Sequence, residues 1–231
     1  MINFKGKLMD LSSPKVMGIL NLTPDSFFDG GKFLDEKACL QQVEKMLLDG
    51  ADFIDLGACS SRPNAELISE AEEMNRLLPV LEQLILHFPE ALFSVDTFRS
   101  RVAEESVHRG VALINDISAG FLDENMLPTI GKLKVPYCMM HMKGTPETMK
   151  DLNQYQNLTK DILFYFSERI NLVRQYGIND IIIDPGFGFG KTVEENFTIV
   201  KKINELKKEW GLKRPPSLQI NNQAGLPKII S

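Results

Sequence analysis

Residues 93–120 read FSVDTFRSRVAEESVHRGVALINDISAG. Two short apolar runs, Leu92 to Val95 and Ala112 to Ile114, stop at polar side chains: Asp96 after the first, Asn115 with Asp116 after the second. Between them lies a segment with apolar residues at helical spacing. A strand, a helix and the next strand are therefore expected, the βα unit of a parallel sheet. A carboxylate just past four buried apolar residues is partly desolvated and needs a specific partner.

The same unit recurs outward from this stretch. Val16 to Leu20, Phe53 to Leu56, Val135 to Met140 and Ile181 to Ile183 are further apolar runs, and Asn21, Asp55, His141 and Asp184 end them. Helical patterns such as EKACLQQVEKMLLDG separate the runs, with Gly50 and Gly177 where helix C-caps belong. Six strand–helix units can be counted, the last helix running roughly from Val193 to Trp210. An open doubly wound sheet concentrates its ligand groups at one switch point. A barrel draws them from several strand ends. Six polar strand ends favour an α/β fold of the TIM (β/α)₈-barrel type, with about six units present and the seventh and eighth strands missing. A complete barrel takes eight units and about 250 residues. The expected organisation is a barrel domain over residues 1–210 and an irregular tail over 211–231, where Pro215-Pro216 and Asn221-Asn222 read as loop.

Composition narrows the function classes. The chain has 231 residues, 43% of them hydrophobic and 25% charged, and a net charge of -5. No basic stripe argues for nucleic acid; the densest group, Lys207-Lys208 to Lys213-Arg214, reads as a solvated face. Three cysteines without pairing rhythm, no signal-peptide pattern and no apolar run near the roughly 18 residues of a membrane span lead to a cytoplasmic expectation.

Several motifs carry candidate chemistry. In LNLTPDSFFDGG, 20–31, the Asn21 carbonyl suits a hard cation such as Mg²⁺, while Thr23 to Ser26 also fit plain turn chemistry. In IDLGACSSRPNAE, 54–66, Ser60 and Ser61 offer donors; Arg62 could grip an oxyanion or simply be an exposed arginine on a capped loop. Asp96, Asn115 and Asp184 together could hydrogen-bond a flat heterocycle with amide and amine edges, although each alone could cap a helix. GFGFGKT, 186–192, fails the P-loop spacing because position 185 is proline. Its glycines suit close approach of a loop to a ligand, with Phe187 or Phe189 as an apolar wall. His141 has no partner at metal-ligand spacing, so a zinc site is not expected.

MGILNLTPDSFFDGG, GADFIDLGACSSRPNAE, the opening stretch, CMMHMKGTPETM and DIIIDPGFGFGKTVEENF, in that order from about Asp10 to Val200, together resemble dihydropteroate synthase of the folate pathway. The resemblance implies a transferase that joins 6-hydroxymethyl-7,8-dihydropterin diphosphate to p-aminobenzoate, with Mg²⁺ as cofactor. Asp96, Asn115 and Asp184 would bind the pterin with Met140 packing nearby, and Asn21 would bind the metal. Ser61, where the family usually has Thr, and Arg62 would belong to a mobile loop, and Pro63 and Phe189 would border the p-aminobenzoate pocket. Asp96, Arg62 and Asp25 are the catalytic candidates. The family continues with a strand ending in Ser-Arg-Lys and another ending in Arg-x-His-Asp; neither sequence occurs after Val200. Weak or absent activity is therefore expected, with the first and sixth strands left without closing partners. An inactive pterin-binding fragment and a pterin-dependent methyltransferase component are the alternatives. Family members resemble dimers built on their last helices, so a homodimer is expected only if those helices are present.

Overall fold

The structure is a computed structural model and describes residues 1–23, 36–59, 67–145, 148–149, 154–209, 219–220 and 228–230. A hairpin opens the chain: β1 (Ile2–Phe4) pairs antiparallel with β2 (Lys7–Met9). Six βα units follow. Their strands are β3 (Lys15–Asn21), β4 (Phe53–Gly57), β5 (Leu92–Asp96), β6 (Leu113–Asp116), β7 (Tyr137–Met140) and β8 (Ile181–Asp184). The helices are α1 (Glu36–Leu48), α2 (Glu70–His87), α3 (Ser100–Arg109), α4 (Met126–Leu133), α5 (Leu158–Gln175) and α6 (Val193–Glu209). All six strands run parallel, each beside its sequence neighbour.

Alternation along the strands divides the core in two. Ile54, Leu56, Phe93, Val95, Ile114, Tyr137, Met139 and Ile183 face the helices and join Leu77, Leu81, Phe166 and Val173 in the larger cluster. Met17, Phe53, Leu92, Leu113, Cys138 and Ile182 form a separate cluster inside the curl. Phe4 of the hairpin closes it from below, its ring 4.8 Å from that of Phe53 and edge-on to it. This is the filled interior of a barrel, not a pore. Two helix starts are fixed locally: Ser69 accepts from Glu72 N at 3.2 Å, and Asn157 accepts from Lys160 N at 3.1 Å.

The tail departs from expectation. Rather than being wholly irregular, it holds β9 (Gln219–Ile220) and β10 (Lys228–Ile230). β10 pairs antiparallel with β3, with Lys228, Ile229 and Ile230 opposite Met17, Val16 and Lys15. The first barrel strand therefore has a partner on its outer edge, correcting the expectation of an open one. β9 pairs with β10 and comes within 8 Å of β8, Cα to Cα. A row of free backbone donors and acceptors is a template for any nearby extended segment, and the β-branched pair in Lys228–Ile230 supplies one. Among the described residues no helix is long and apolar enough to cross a membrane.

Candidate functional site

Register alone assembles the strand-end groups. Asn21 stands beside Gly57, Gly57 beside Asp96, and Asp96 beside Asn115. Asn115 neighbours Cys138, and one step of alternation further on, Met140 neighbours Asp184. Five candidates from five strands thus line one mouth at the C-terminal end of the sheet. The sixth strand, β4, contributes a glycine there, and the gap it leaves separates Asn21 from Asp96. Above this polar row, Met140, Met142, Met149, Ile117 and Phe189 form a compact apolar cluster with Phe98 packed against it. Phe189 reaches that wall from the loop after β8. Asp25, Ser61, Arg62 and Pro63 lie outside the described residues.

The loop after β8 is shaped by three contacts. Asp184 Oδ1 accepts from Gly186 N at 2.8 Å, turning the chain at once. Gly186 has φ +70°, and a Cβ there would sit 2.1 Å from the His141 carbonyl oxygen, so only glycine lets the loop lie against β7. The Lys191 ammonium then donates to three backbone carbonyls, those of Gly186 at 2.9 Å, Phe189 at 3.0 Å and His141 at 3.2 Å. Burial pushes this lysine down to about 7, against the opposing pull of the Asp184 and Glu195 carboxylates.

His141 belongs to the other side of the sheet end. Its ring is buried edge-on to Tyr165 at 4.8 Å and lies near Tyr155 and Phe166. Burial, then the nearby Lys191 charge, holds the imidazole neutral, well below its ordinary range. Asp116 likewise turns away from Asn115. It accepts from Ser118 N and Ser118 Oγ at 2.7 Å, Gly120 N at 2.8 Å and the Tyr137 hydroxyl at 2.6 Å, pinning the loop after β6. Arg99 joins the buried Glu73 carboxylate to the Ile68 carbonyl, tying down the chain that leads into α2.

A sequence profile described as pterin binding enzyme matches residues 17–219. The chain belongs to this family. Dihydropteroate synthase of Haemophilus influenzae is 45% identical over 201 residues, covering 86% of this chain and 72% of that protein. The crystal structure of Yersinia pestis dihydropteroate synthase with a sulfonamide drug superposes with a TM-score of 0.82 at 41% identity, covering 90% of this chain and 75% of that one. Xanthomonas albilineans dihydropteroate synthase gives TM-scores of 0.81 with 4-aminobenzoic acid and 0.77 with 7,8-dihydropteroate, at 34% and 32% identity, covering 90% and 91% of this chain and 74% of that one in both cases. The chain thus spans about three quarters of the length of these relatives, and it is a transferase of the dihydropteroate synthase type.

Synthase chemistry raises the question of a metal. Among the described residues no group of three or more His, Cys, Asp or Glu could cage one. Mg²⁺, however, is commonly held by one or two protein oxygens together with substrate phosphates. The point where a Gly57 Cβ would stand is 3.7 Å from Asn21 Oδ1 and 3.8 Å from Asp96 Oδ2. Two hard oxygens from neighbouring strand ends thus approach the Gly57 backbone from either side, and their chemistry fits such an ion.

Three groups do more than their motifs indicate. Asp55, expected to end a strand, lies mid-strand in β4 and hydrogen-bonds Asn115 from inside the curl; its period-two spacing from Phe53 and Gly57 is the available signal. Lys191, given no role by the failed P-loop spacing, gathers the loop after β8. Asp116, expected beside Asn115, faces the opposite side because adjacent strand residues alternate.

Proposed function

We propose that the chain binds 6-hydroxymethyl-7,8-dihydropterin diphosphate at the strand-end mouth and condenses it with p-aminobenzoate to give 7,8-dihydropteroate and diphosphate. The observation that carries this reading is the register-built row Asp96, Asn115, Met140 and Asp184, capped by the apolar wall of Phe189. The two carboxylates and the carboxamide supply the acceptors and donors that a pterin edge requires, and Met140 packs on its face. Phe189 borders the p-aminobenzoate ring, a role the resemblance also gives to Pro63, outside the described residues. Asn21 would hold Mg²⁺, which, when bound, neutralises diphosphate charge and eases its departure.

The carbon–oxygen bond to diphosphate breaks and leaves positive charge on the pterin methylene. In this reading the Asp96 carboxylate stabilises that charge electrostatically. The aromatic amine attacks, a carbon–nitrogen bond forms, and the amine proton passes to solvent or to the departing diphosphate. Ser61, Arg62 and Asp25, which lie outside the described residues, would help hold the substrates and exclude competing water. In this reading the protein works in folate biosynthesis, in the cytoplasm.

Neither Ser-Arg-Lys nor Arg-x-His-Asp occurs among these 231 residues after Val200, and a pterin binder without synthase turnover is the second reading. Product formation from pterin diphosphate, p-aminobenzoate and Mg²⁺, followed by chromatography beside a pterin titration, separates the two. Pterin binding with product supports the synthase; binding with no product supports the binder. No binding removes both.

A further inference from the structure

Beneath the mouth lies a carboxylate that the proposed reaction does not use. Asp55 sits mid-strand in β4, level with Ile19 on one side and Ser94 on the other, and is 1% exposed. Alternation puts its side chain inside the curl, between Phe53 of the floor and Gly57 of the mouth. Its Oδ2 accepts a 2.9 Å hydrogen bond from Asn115 Nδ2, across the intervening strand β5. Asn115 is itself 2% exposed, so both groups are desolvated.

We propose that Asp55 is a positioning residue that fixes the orientation of the Asn115 carboxamide and thereby sets the donor–acceptor polarity demanded of the bound heterocycle. This rests on Asn115 being a pterin contact. A carboxamide rotated by half a turn keeps its shape but exchanges donor for acceptor. A carboxylate only accepts, so Asp55 admits one of the two orientations. The reverse would set two oxygens against each other where low dielectric makes mispairing expensive. One Nδ2 hydrogen is thus committed downward, and Oδ1, fixed on the other side, remains as an acceptor for a ligand donor. The Ser94 hydroxyl at the same level is buried with no hydrogen-bond partner among the described residues. Asp55 is therefore the group the described residues supply for orienting Asn115.

Sites built on buried hydrogen bonds discriminate strongly against ligands that leave a polar group unpaired. Pterin and lumazine make a matched pair of probes: they share the bicyclic ring, but lumazine has a carbonyl where pterin has an amino donor. The 231-residue chain, its Asp55→Asn variant and its Asn115→Ala variant are titrated with each by calorimetry. An asparagine at position 55 can pair with either orientation of Asn115, so the constraint disappears while size is kept. Wild type is expected to prefer pterin at least tenfold. Asp55→Asn should narrow that ratio about fivefold or more while leaving the denaturation midpoint near that of wild type.

An unchanged ratio in Asp55→Asn, with pterin still bound tightly by wild type and weakly by Asn115→Ala, overturns the role of Asp55 alone. Failure of wild type to bind pterin, or indifference to Asn115→Ala, overturns the pterin reading and this inference with it. Should Asp55→Asn not fold, the wild-type Asn115 side-chain amide decides the matter by NMR. One set of slowly exchanging NH₂ signals, retained on adding pterin, is expected; two interconverting sets or rapid exchange would refute a fixed orientation.

Discussion

Replacing Lys191 with methionine keeps most of the side-chain volume and removes the ammonium that gathers the loop after β8. The carbonyls of His141, Gly186 and Phe189 then lose the ammonium, and among the described residues Gly186 alone keeps another donor, Phe189 N at 3.2 Å. Each buried acceptor left unpaired costs about 1–3 kcal/mol. Against this, the variant no longer buries a charge. Burial depresses the lysine from 10.5 to about 7, so the unfolded chain binds the extra proton between those two values. Where the unfolded state binds more protons, stability rises with pH, by about 1.4 kcal/mol per unit. Lysine thus contributes most above 10.5, and its contribution is lost as pH falls through about 7. Near pH 7 the carbonyl loss and the relieved charge roughly offset, and Lys191→Met should be close to neutral. Between pH 7 and pH 9 wild type should gain about 2 kcal/mol on the variant, from the same slope integrated over the titration. Urea unfolding of both proteins at the two pH values measures the difference. Parallel pH dependence, within about 0.5 kcal/mol, would refute the account of a buried, depressed ammonium.

Gly186→Ala should be far more damaging than Gly188→Ala. Both have positive φ, but a Cβ at Gly186 meets the His141 carbonyl at 2.1 Å and one at Gly188 meets nothing within 4 Å. A loss of about 3 kcal/mol or more is expected for the first, and about 1–2 kcal/mol for the second, by thermal unfolding; equal losses would remove the close-approach argument. Asp116→Ala should cost about 3 kcal/mol by stranding the Tyr137 hydroxyl and two amides, and Tyr137→Phe about 1 kcal/mol. A loss under about 1 kcal/mol from Asp116→Ala would show that those donors find other partners.

The sequence carried the parallel sheet and its polar strand ends because both are local. An apolar run that stops at Asp96 or Asp184 is visible in a few residues, and period two predicts which of them point inward. What joined the candidates was register, which single runs do not reveal. Asn21, Asp96 and Asn115 fall in one row, with Gly57 between the first two, only once β3 to β6 are aligned. The spacing of Asp55 from Phe53 and Gly57 marks it as inward-facing, yet its partner lies 60 positions away, so no local pattern names that partner. Lys191 escaped for a similar reason: its three acceptors include a carbonyl from another βα unit. The tail strands are two and three residues long and flanked by proline, glycine and asparagine, too short for any period to register.

Calorimetric titration of the 231-residue chain and its Asn115→Ala and Asp184→Ala variants with 6-hydroxymethylpterin diphosphate and Mg²⁺ tests the central claim most directly. Saturable one-site binding, weakened at least tenfold by either substitution while the variants stay folded, is the predicted result. Absence of binding by wild type, or variants that bind as tightly as it does, would contradict the assignment of the strand-end row as a pterin site.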